Sequence, residues 1–302
     1  MRRGSNTPPE GDYVLVTAAH NEEAYIASAV ESIAAQTVPP RRWVIVSDAS
    51  SDGTEDIIGK YMESLGFIDL VSLQRDASRN FRSQVYAILE GVRKLQETPF
   101  SFIGNLDADI ILEPDYYERI LKRFRMNPRL GLAGGFVYEW RKNAYRSRNF
   151  NRVHSVPHAV QLFRRECYET FGGYIPLKYG GPDWHAEVTV RMKGWEARCF
   201  PEIPVYHQRP TGSVEGAARA YLRLGRMDYS LGSHPVFELF KCIIRYREPP
   251  FIIGSLLRMA GFLWLSLIRE ERQVTAEFVR FIRREQMRRL RSLEFRGKKK
   301  AD

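Results

Sequence analysis

The chain has 302 residues, enough for one large domain or for one domain with an appendage. Hydrophobic residues make up 44% of it and aromatic residues 12%, which provides for a sizeable core and argues against wholesale disorder. The formal net charge of +10 at pH 7 is typical of proteins that bind nucleic acid, anionic lipid surfaces or phosphorylated substrates.

The first twelve residues, "MRRGSNTPPEGD", are polar and rich in proline and glycine, so we expect residues 1–12 to form a loose leader. They do not resemble a signal peptide, because no apolar segment follows the two arginines. Three cysteines, Cys167, Cys199 and Cys242, lie far apart and form no CxxC motif. An odd number of scattered cysteines gives no disulfide framework and indicates a reducing cytoplasm.

Apolar runs alternate with helical patterns through the first half of the chain. The sequence predicts strands at 13–19, 43–50, 68–73 and 100–110, and helices at 22–36, 54–65, 85–95 and 115–127. Such an alternation is typical of βαβ units and predicts a mainly parallel sheet.

The second half is less regular. It predicts further strands at 130–140, at 159–167 and after residue 197, with a loop and a short helix between 181 and 195. The composition changes beyond about Val236, where an apolar segment precedes a basic amphipathic helix. We therefore predict an α/β domain over 13–235 and a helical, basic C-terminal region over 236–302.

Polar residues follow four of the predicted strands, at the point where each strand ends. They are His20 to Glu22 after the first, Asp48 after the second, Arg75 to Arg82 after the third, and Asp107 and Asp109 at the fourth. Ligands of open α/β sheets bind outside the carboxyl ends of the strands. Charge gathered at four strand ends therefore predicts a ligand site at this edge of the sheet.

Asp107 and Asp109 lie at the end of an apolar strand, with one residue between them. Two such carboxylates suit a hard divalent cation, which prefers oxygen ligands and removes their mutual repulsion. The alternative is that one carboxylate caps the following turn and the other is solvated. Asp48 is likewise either an acceptor for a base or ribose or part of a capped loop. No GxGxxG and no GxxxxGK[ST] accompanies these residues.

Four motifs occur in order: "VLVTAAHNEEAYIASAVESIAAQT", "WVIVSDASSDGT", "LDADI" and "GPDW" followed by "RMKGW". In this order and spacing the chain resembles a family 2 glycosyltransferase of the GT-A fold, from about Tyr13 to Ser213. The resemblance implies a Rossmann-like, mixed and mainly parallel sheet flanked by helices, and the pattern beyond about Val236 adds a helical C-terminal extension. The resemblance also implies an inverting transferase that uses a nucleoside diphosphate sugar with Mn²⁺ or Mg²⁺.

The resemblance assigns roles residue by residue. The donor nucleotide would contact Ala18, Ala19, His20, Glu22, Asp48, Arg82 and Asp107; the metal would contact Asp109, Asp107 and His207; and the catalytic base would be Asp183. Asp109 is expected at the metal and Asp107 nearer the ribose, while Arg75 and Arg79 are rivals of Arg82 for the phosphates.

The sequence departs from the family pattern at two places. Pro182 precedes Asp183 where the family has an acidic pair, and Leu89 replaces an asparagine common in the third helix. Trp184 is a candidate for stacking on the acceptor sugar or for core packing, and both interpretations stay open. His154 and His158 are expected to be surface or hydrogen-bonded histidines and not ligands.

The apolar segment 249–268 is long enough to span a bilayer, but several features oppose a simple span. Arg258 near its middle would cost about 2.5–3.5 kcal/mol on insertion scales. Prolines open the segment, and Gly254 and Gly261 interrupt it. We expect a helix that lies at the bilayer interface or packs on the catalytic domain.

The segment 270–293 follows with an apolar stripe and arginines elsewhere. It is either a membrane-surface helix or a docked terminal helix with a solvated basic face. The C-terminal helices thus suggest an anionic membrane surface as a partner. Nucleic acid is not expected, because no known reading motif accompanies the charge.

The sequence therefore predicts a metal-dependent glycosyltransferase of cell-surface polysaccharide or glycolipid synthesis, with a glycan or lipid-linked acceptor and a uridine diphosphate sugar slightly favoured. The expected location is cytoplasmic, peripheral on the inner face of the membrane. Alternatives are a polyprenyl-phosphate glycosyltransferase and a nucleotide-sugar-binding, non-catalytic subunit. A nucleotidyltransferase lacks support, since "TAAHNEE" stands where its glycine-rich loop would follow the first strand.

Overall fold

The computed structural model describes residues 11–74, 81–148, 151–209, 216–246 and 251–298. The chain divides into two compact units: unit 1 is Met1–Pro176 with Pro182–Thr211, and unit 2 is Leu177–Gly181 with Gly212–Asp302. Most of the predicted leader, and both Arg75 and Arg79, lie outside the described residues. The domain limits 13–235 and 236–302 stay a prediction.

Unit 1 is built on a mixed sheet of nine strands, counted over the described residues. The strands are β1 (Tyr13–Ala19), β2 (Arg42–Asp48), β3 (Ile68–Leu73), β4 (Phe102–Asn105), β5 (Ile110–Leu112), β6 (Leu130–Arg141), β7 (Ala144–Ser147), β8 (Leu162–Arg164) and β9 (Glu196–His207). Their order is β3-β2-β1-β4-β8-β6-β9-β5, with β7 beside β6. Parallel pairing joins β3, β2, β1 and β4, and also β6 and β9, so the predicted fold class is confirmed.

Six helices of unit 1 cover this sheet within the described ranges. They are α1 (Ile26–Ala34), α2 (Thr54–Met62), α3 (Phe81–Lys94), α4 (Tyr116–Met126), α5 (Arg165–Phe171) and α6 (Pro182–Met192). The predicted strand 159–167 is wrong beyond its centre: a 3₁₀ turn, His158–Val160, precedes β8, and α5 begins directly after it. The run "AVQLFRREC" alternates too briefly for its period to separate a strand from a helix.

The central strands are apolar on both faces because helices cover both sides of the sheet. All residues of β1 are buried except Ala18, which is half-buried. On one side Tyr13 stacks on Tyr117 with ring centroids 4.3 Å apart. On the other side α3 approaches β1 closely, and a Cβ on Gly91 would lie 2.5 Å from Val16 Cγ1. A rigid sheet thus fixes where its strand ends, and the loops after them, are placed.

Unit 2 contains four helices among its described residues. They are α7 (Ala217–Ser230), α8 (Pro235–Ile244), α9 (Ile252–Leu267) and α10 (Ala276–Lys298). The sequence did not predict α7, and it covered α8 only as part of the helical region 236–302. The helix α10 begins six residues later than expected. No helix within the described ranges combines the length and the apolar character that crossing a membrane requires.

Arg258, which seemed costly in an apolar segment, is 5% exposed and lies in a buried ionic cluster. Its Nε donates to Glu238 at 2.8 Å, and its Nη2 contacts Asp228. Lys241 Nζ lies 2.9 Å from both carboxylates. Burial raises the pKa of Asp228, but Lys241 and Arg258 outweigh it and hold that pKa below its usual value. The arginine is thus compensated by side chains of α7 and α8.

Candidate functional site

The loops that follow β1 and β2 are joined by hydrogen bonds. The parallel register pairs Ala18 with Val46 and Ala19 with Ser47, so both strands end at the same edge. His20 Nδ1 lies 2.6 Å from the carbonyl oxygen of Asp48. The backbone N–H of Glu22 donates to Thr54 Oγ1 at 2.8 Å, where α2 begins. The predicted donor residues after these two strands are therefore brought together.

Asp109 and Glu22 form the first acidic cluster, and a single arginine lies between them. Arg209 Nε is 2.6 Å from Asp109 Oδ2, and Arg209 Nη2 is 2.6 Å from Glu22 Oε1. His207 Nε2 is 2.9 Å from the same Asp109 oxygen. The Asp109 side chain is only 3% exposed, whereas that of Arg209 is 37% exposed. The guanidinium of Arg209 therefore lies between the buried carboxylate of Asp109 and the solvent.

Strand register explains this grouping. The antiparallel pairing of β5 with β9 sets Ile110 opposite His207, next to Asp109. The parallel pairing of β6 with β9 sets the buried Glu139 opposite His207. Arg209 follows two residues after His207 and returns to Asp109. The contact between residues 109 and 207 therefore depends on the closing of the sheet and not on sequence proximity.

The ring of His207 is biased towards its charged form. Burial lowers the pKa of His207, but the hydrogen bond and charge of Asp109, with Asp107 and Glu139 beyond, outweigh burial and raise it. Burial also opposes the charge of Arg209, and Asp109 and Glu22 more than compensate, so the pKa of Arg209 is raised. The first cluster is consequently an array of alternating charges.

Asp107 lies in a second cluster with His158. Asp107 Oδ1 is 3.2 Å from His158 Nδ1, and the amide of Asn105 donates to the carbonyl oxygen of His158 at 2.8 Å. Burial raises the pKa of Asp107, but the charge and hydrogen bond of His158 outweigh it, so that pKa lies below its usual value. The reverse holds for His158: burial lowers its pKa, but the charge and hydrogen bond of Asp107 outweigh burial, so the pKa lies above its usual value. His158 is thus the hydrogen-bonded histidine that the sequence allowed.

Asp183 opens α6 and belongs to the same neighbourhood. Its charge helps to raise the pKa of His158, after that of Asp107, and it contributes likewise at Tyr174. The rings of His158 and Tyr174 are 5.5 Å apart, and the Tyr174 hydroxyl donates to Gln161. His158 is therefore under the influence of two carboxylates, one on the strand side and one at the start of a helix.

Two other predicted residues lie on helices. Arg82 is the second residue of α3, which packs on β1 and β2, and its side chain is half-buried. Trp184 follows Asp183 on α6 and is also half-buried. Neither position separates a role in ligand contact from a role in packing, so both assignments stay predictions.

Two residues of these clusters, Arg209 and Glu139, had no assigned role in the sequence, and His158 was expected only as a surface or hydrogen-bonded histidine. Arg209 stands only two residues after the predicted ligand His207, and that spacing was the available signal. Nothing local distinguishes His158 or Glu139, because each reaches its partner through strand pairing or a 3₁₀ turn.

The side chains of Asp109 and His207 are of types that bind divalent ions, although here they contact each other. Among the described residues, no group of three or more histidine, cysteine, aspartate or glutamate side chains is arranged to hold a metal ion. Asp109 and His207 nevertheless offer an oxygen and a nitrogen side by side, which Mn²⁺ accepts. The buried Nδ1 of His207 has no hydrogen-bond partner within the described ranges, so the ring can turn without breaking a second bond there.

Two matched substitutions are expected to separate the histidines by titration. Without divalent ions, Asp107→Asn should lower the pKa of His158, and Asp109→Asn should lower that of His207, because each loses its nearest carboxylate. Each wild-type pKa should lie above about 6.5, the ordinary imidazole value. The stabilisation from either pair is then complete below that pH and lost as pH rises through the folded-state pKa.

Ring carbon and proton shifts of labelled histidine, followed by NMR, measure both values. Each substitution acts as the control for the other, since it should move chiefly its own partner. Equal shifts of both histidines in both variants would contradict the separation into two clusters.

The description "Glycosyl transferase family 2" belongs to a family model that matches residues 14–175, rather more than half of the chain. Among curated proteins, the chain is similar to poly-beta-1,6-N-acetyl-D-glucosamine synthase of Staphylococcus aureus strain COL, with 28% identity over 121 residues. The synthase of Staphylococcus epidermidis is 26% identical over 121 residues. Each match covers 40% of this chain and 27% of the synthase, so the chain spans about a quarter of the length of these relatives.

Two solved structures share the fold. One is the mannosyltransferase PcManGT from Pyrobaculum calidifontis in complex with GDP-Man and Mn²⁺, with a TM-score of 0.56, 16% identity, and coverage of 94% of this chain and 83% of that one. The other is S. aureus TarS 1-349 in complex with UDP-GlcNAc, with a TM-score of 0.53, 12% identity, and coverage of 90% and 78%. At these identities the likeness concerns the fold.

Proposed function

This chain belongs to glycosyl transferase family 2 and is a glycosyltransferase, and we propose that it moves a sugar, with inversion, from a nucleoside diphosphate sugar to a hydroxyl of a glycan or lipid-linked acceptor. The product would be a cell-surface polysaccharide or glycolipid. One observation supports the proposal most directly: Glu22, Asp109 and Arg209, from three separate strand ends, meet in one charged cluster.

The donor nucleotide would lie across the joined loops after β1 and β2. In this proposal Ala18, Ala19, His20 and Glu22 line the base and ribose, with Asp48 and Asp107 as acceptors for N–H or ribose O–H groups. Arg82 would approach the diphosphate from α3. Arg209 is added to this set, because its guanidinium is partly exposed and ends at the acidic cluster. A guanidinium suits phosphate oxygens since it presents its N–H groups in a planar fork.

A divalent ion, Mn²⁺ or Mg²⁺, would be held by Asp109 and His207, with Asp107 nearby. When bound, it supplies neutralising charge for the diphosphate leaving group. The residues of the chain have to prepare this place: Asp109 must exchange its contact with Arg209, and His207 must turn its ring. Arg209 then becomes available to the phosphates. The guanidinium of Arg209 and the divalent ion would thus compete for the carboxylate of Asp109.

Inversion by direct displacement needs a base on the acceptor hydroxyl, opposite the leaving group. Asp183 is proposed as that base, because it is the carboxylate that opens α6 in the matching motif. His158 lies under the charge of both Asp183 and Asp107, which favours its protonated form.

The donor and acceptor are proposed from the relatives. UDP-N-acetylglucosamine is the first donor to test and GDP-mannose the second, since proteins of the same fold carry them. A polyprenyl phosphate is the second acceptor class, and a nucleotide-sugar-binding subunit without activity is the second function. The proposed location is cytoplasmic, peripheral on the inner face of the membrane, where nucleoside diphosphate sugars are available.

A donor panel tests this function. The full chain is incubated with each donor and Mn²⁺ or Mg²⁺, and nucleoside diphosphate release is measured beside the thermal midpoint. Release with one donor, together with a raised midpoint, supports a transferase, since a bound donor stabilises the fold by mass action. A raised midpoint without release, with glycan and polyprenyl phosphate acceptors both present, would favour the binding subunit.

Arg209→Ala is expected to tighten Mn²⁺ binding by the donor-free protein about tenfold. The ion then no longer competes with a charge-assisted hydrogen bond to Asp109, whose loss is worth about 1.5 kcal/mol. Isothermal titration calorimetry measures the change. Arg123→Ala is the matched control, because Arg123 pairs with Glu202 at 2.6 Å elsewhere in unit 1. Unchanged or weaker Mn²⁺ binding in Arg209→Ala would show that Asp109 is not the ligand.

A further inference from the structure

Unit 2 exposes apolar side chains in one region of the sequence. Of the eighteen large hydrophobic residues exposed among the described residues, thirteen lie between Val236 and Ile268. On α8 they are Val236, Leu239, Ile243 and Ile244, and on α9 they are Ile252, Ile253, Leu256, Leu263, Trp264 and Leu267. We call these ten side chains the apolar face. Exposed apolar side chains concentrated on two neighbouring helices indicate a binding surface, because large exposed apolar patches on soluble proteins usually mark sites of protein or membrane contact.

The helix α9 is apolar on both its buried and its exposed side. Its buried side carries Arg258, which is 5% exposed, together with two glycines, Phe262 and Leu265. Leu256, Leu263 and Leu267 lie within about 60° of the direction opposite to Arg258 at 3.6 residues per turn. They are 64%, 55% and 77% exposed. The charged group of α9 therefore lies on its buried side, while these three leucines lie on its exposed side.

The inward side of α9 is firmly attached to α7. A Cβ on Gly225 of α7 would overlap the carbonyl of Arg258, and a Cβ on Gly261 would overlap the carbonyl of Leu222. The two backbones thus touch, and only glycine permits the contact. Arg258 adds its pairing with Asp228 of α7 and Glu238 of α8. The outward side is consequently presented on a fixed scaffold, and it is not the core-facing side of a displaced helix.

The net charge of the protein lies in the same unit. Unit 2 has twenty lysines and arginines and ten aspartates and glutamates, whereas unit 1 has twenty-six of each. On α10 the side chains of Arg283, Arg284, Met287, Arg288 and Arg291 line one shallow depression. Two such units would repel each other by their charge, which disfavours a second copy as the occupant. An apolar surface within a strongly basic unit matches a bilayer that contains anionic lipids.

We propose that the apolar face docks this chain on the surface of an anionic lipid bilayer, with the leucines and isoleucines among the acyl chains and the arginines of α10 attracted to lipid phosphates. Trp264 is 54% exposed at the edge of this set, and tryptophan is the residue that prefers the boundary between headgroups and acyl chains. This proposal concerns a binding partner and not a reaction, so it does not depend on the proposed sugar transfer.

Vesicle cosedimentation of the full chain tests the proposal, without donor or acceptor. We expect binding to equal mixtures of phosphatidylcholine and phosphatidylglycerol, and weaker binding to phosphatidylcholine alone and at raised salt. The combined variant Leu256→Gln, Leu263→Gln and Leu267→Gln should bind on the order of a hundredfold more weakly, since three leucines no longer enter the apolar layer. Its fold is checked by circular dichroism, and exposed positions tolerate such changes.

Matched controls separate the apolar and charged contributions. Met62→Gln with Met126→Gln, two exposed methionines of unit 1, should leave binding unchanged. Arg284→Glu with Arg288→Glu should weaken binding to anionic vesicles by at least about tenfold and leave binding to phosphatidylcholine unaffected. Brominated lipids should quench the fluorescence of the wild type, and Trp264→Phe should remove that quenching, whereas Trp140→Phe should not.

Three results would overturn the proposal: no binding of the wild type to anionic vesicles, equal binding by the triple-leucine variant, or quenching that survives Trp264→Phe. Sedimentation velocity tests the other possible occupant of the apolar face, a second copy of this chain. A dimer of the wild type that the triple-leucine variant abolishes would identify the apolar face as a contact between protein chains and not with lipid.

Discussion

Replacing Asp183 by asparagine is expected to lower the turnover of sugar transfer by about two to four orders of magnitude while donor binding stays nearly unchanged. The amide keeps the size of the side chain at the start of α6 but cannot accept the acceptor's proton. The Asp183 carboxylate would take part in the reaction only when the acceptor hydroxyl is deprotonated. Its loss would therefore remove an interaction made in the transition state. Steady-state kinetics with a saturating donor, and calorimetric donor affinity, measure the two parts separately.

The control for this substitution is Asp115→Asn. Asp115 lies at the start of another helix of unit 1, α4, where its side chain is 51% exposed and is 3.8 Å from Arg119. It should leave both turnover and donor affinity unchanged. Full turnover in Asp183→Asn would exclude it as the base, and a loss confined to donor affinity would place Asp183 in the donor site instead. A phosphate acceptor would also reduce the effect, since an ionised acceptor needs no base.

Prediction from the sequence succeeded where the signal is local. The first strands and helices follow from apolar runs, helical spacing and turn residues, and each strand end follows from the position at which polarity returns. The proximity of the loops after β1 and β2 could be predicted in this way, because a parallel βα arrangement sets consecutive strand ends at one edge.

The rest of the site depends on contacts between distant parts of the chain. Arg209 meets Glu22 and Asp109 because β9 runs antiparallel to β5, a pairing that joins residues far apart in the sequence. His158 reaches Asp107 through the 3₁₀ turn His158–Val160, which overlaps the start of the segment 159–167 that the sequence assigned to a strand. The apparent cost of Arg258 had the same cause, since its acidic partners lie twenty and thirty residues earlier on other helices.

Arg258→Ala is expected to destabilise unit 2 by about 3–5 kcal/mol. The substitution leaves Asp228 and Glu238 buried with Lys241 as the shared cation, so one negative charge loses its compensation. Hydrogen exchange measured by mass spectrometry reports the effect locally: amides of α7 and α9 should lose protection, whereas those of β1 in unit 1 should keep it. The matched control is Arg280→Ala, an exposed arginine of α10, with an expected change within about 0.5 kcal/mol.

A second variant distinguishes the charge from the volume of Arg258. Replacing Asp228, Glu238, Lys241 and Arg258 together by apolar residues of similar size should recover most of the lost protection, because buried ionic groups are often no more stabilising than a well-packed apolar core. Recovery would show that the loss in Arg258→Ala comes from the uncompensated buried charge, and vesicle binding by the same variant then tests whether the ionic cluster fixes which side of α9 faces inward. Unchanged protection in Arg258→Ala alone would contradict the role of the cluster in holding α9 against α7.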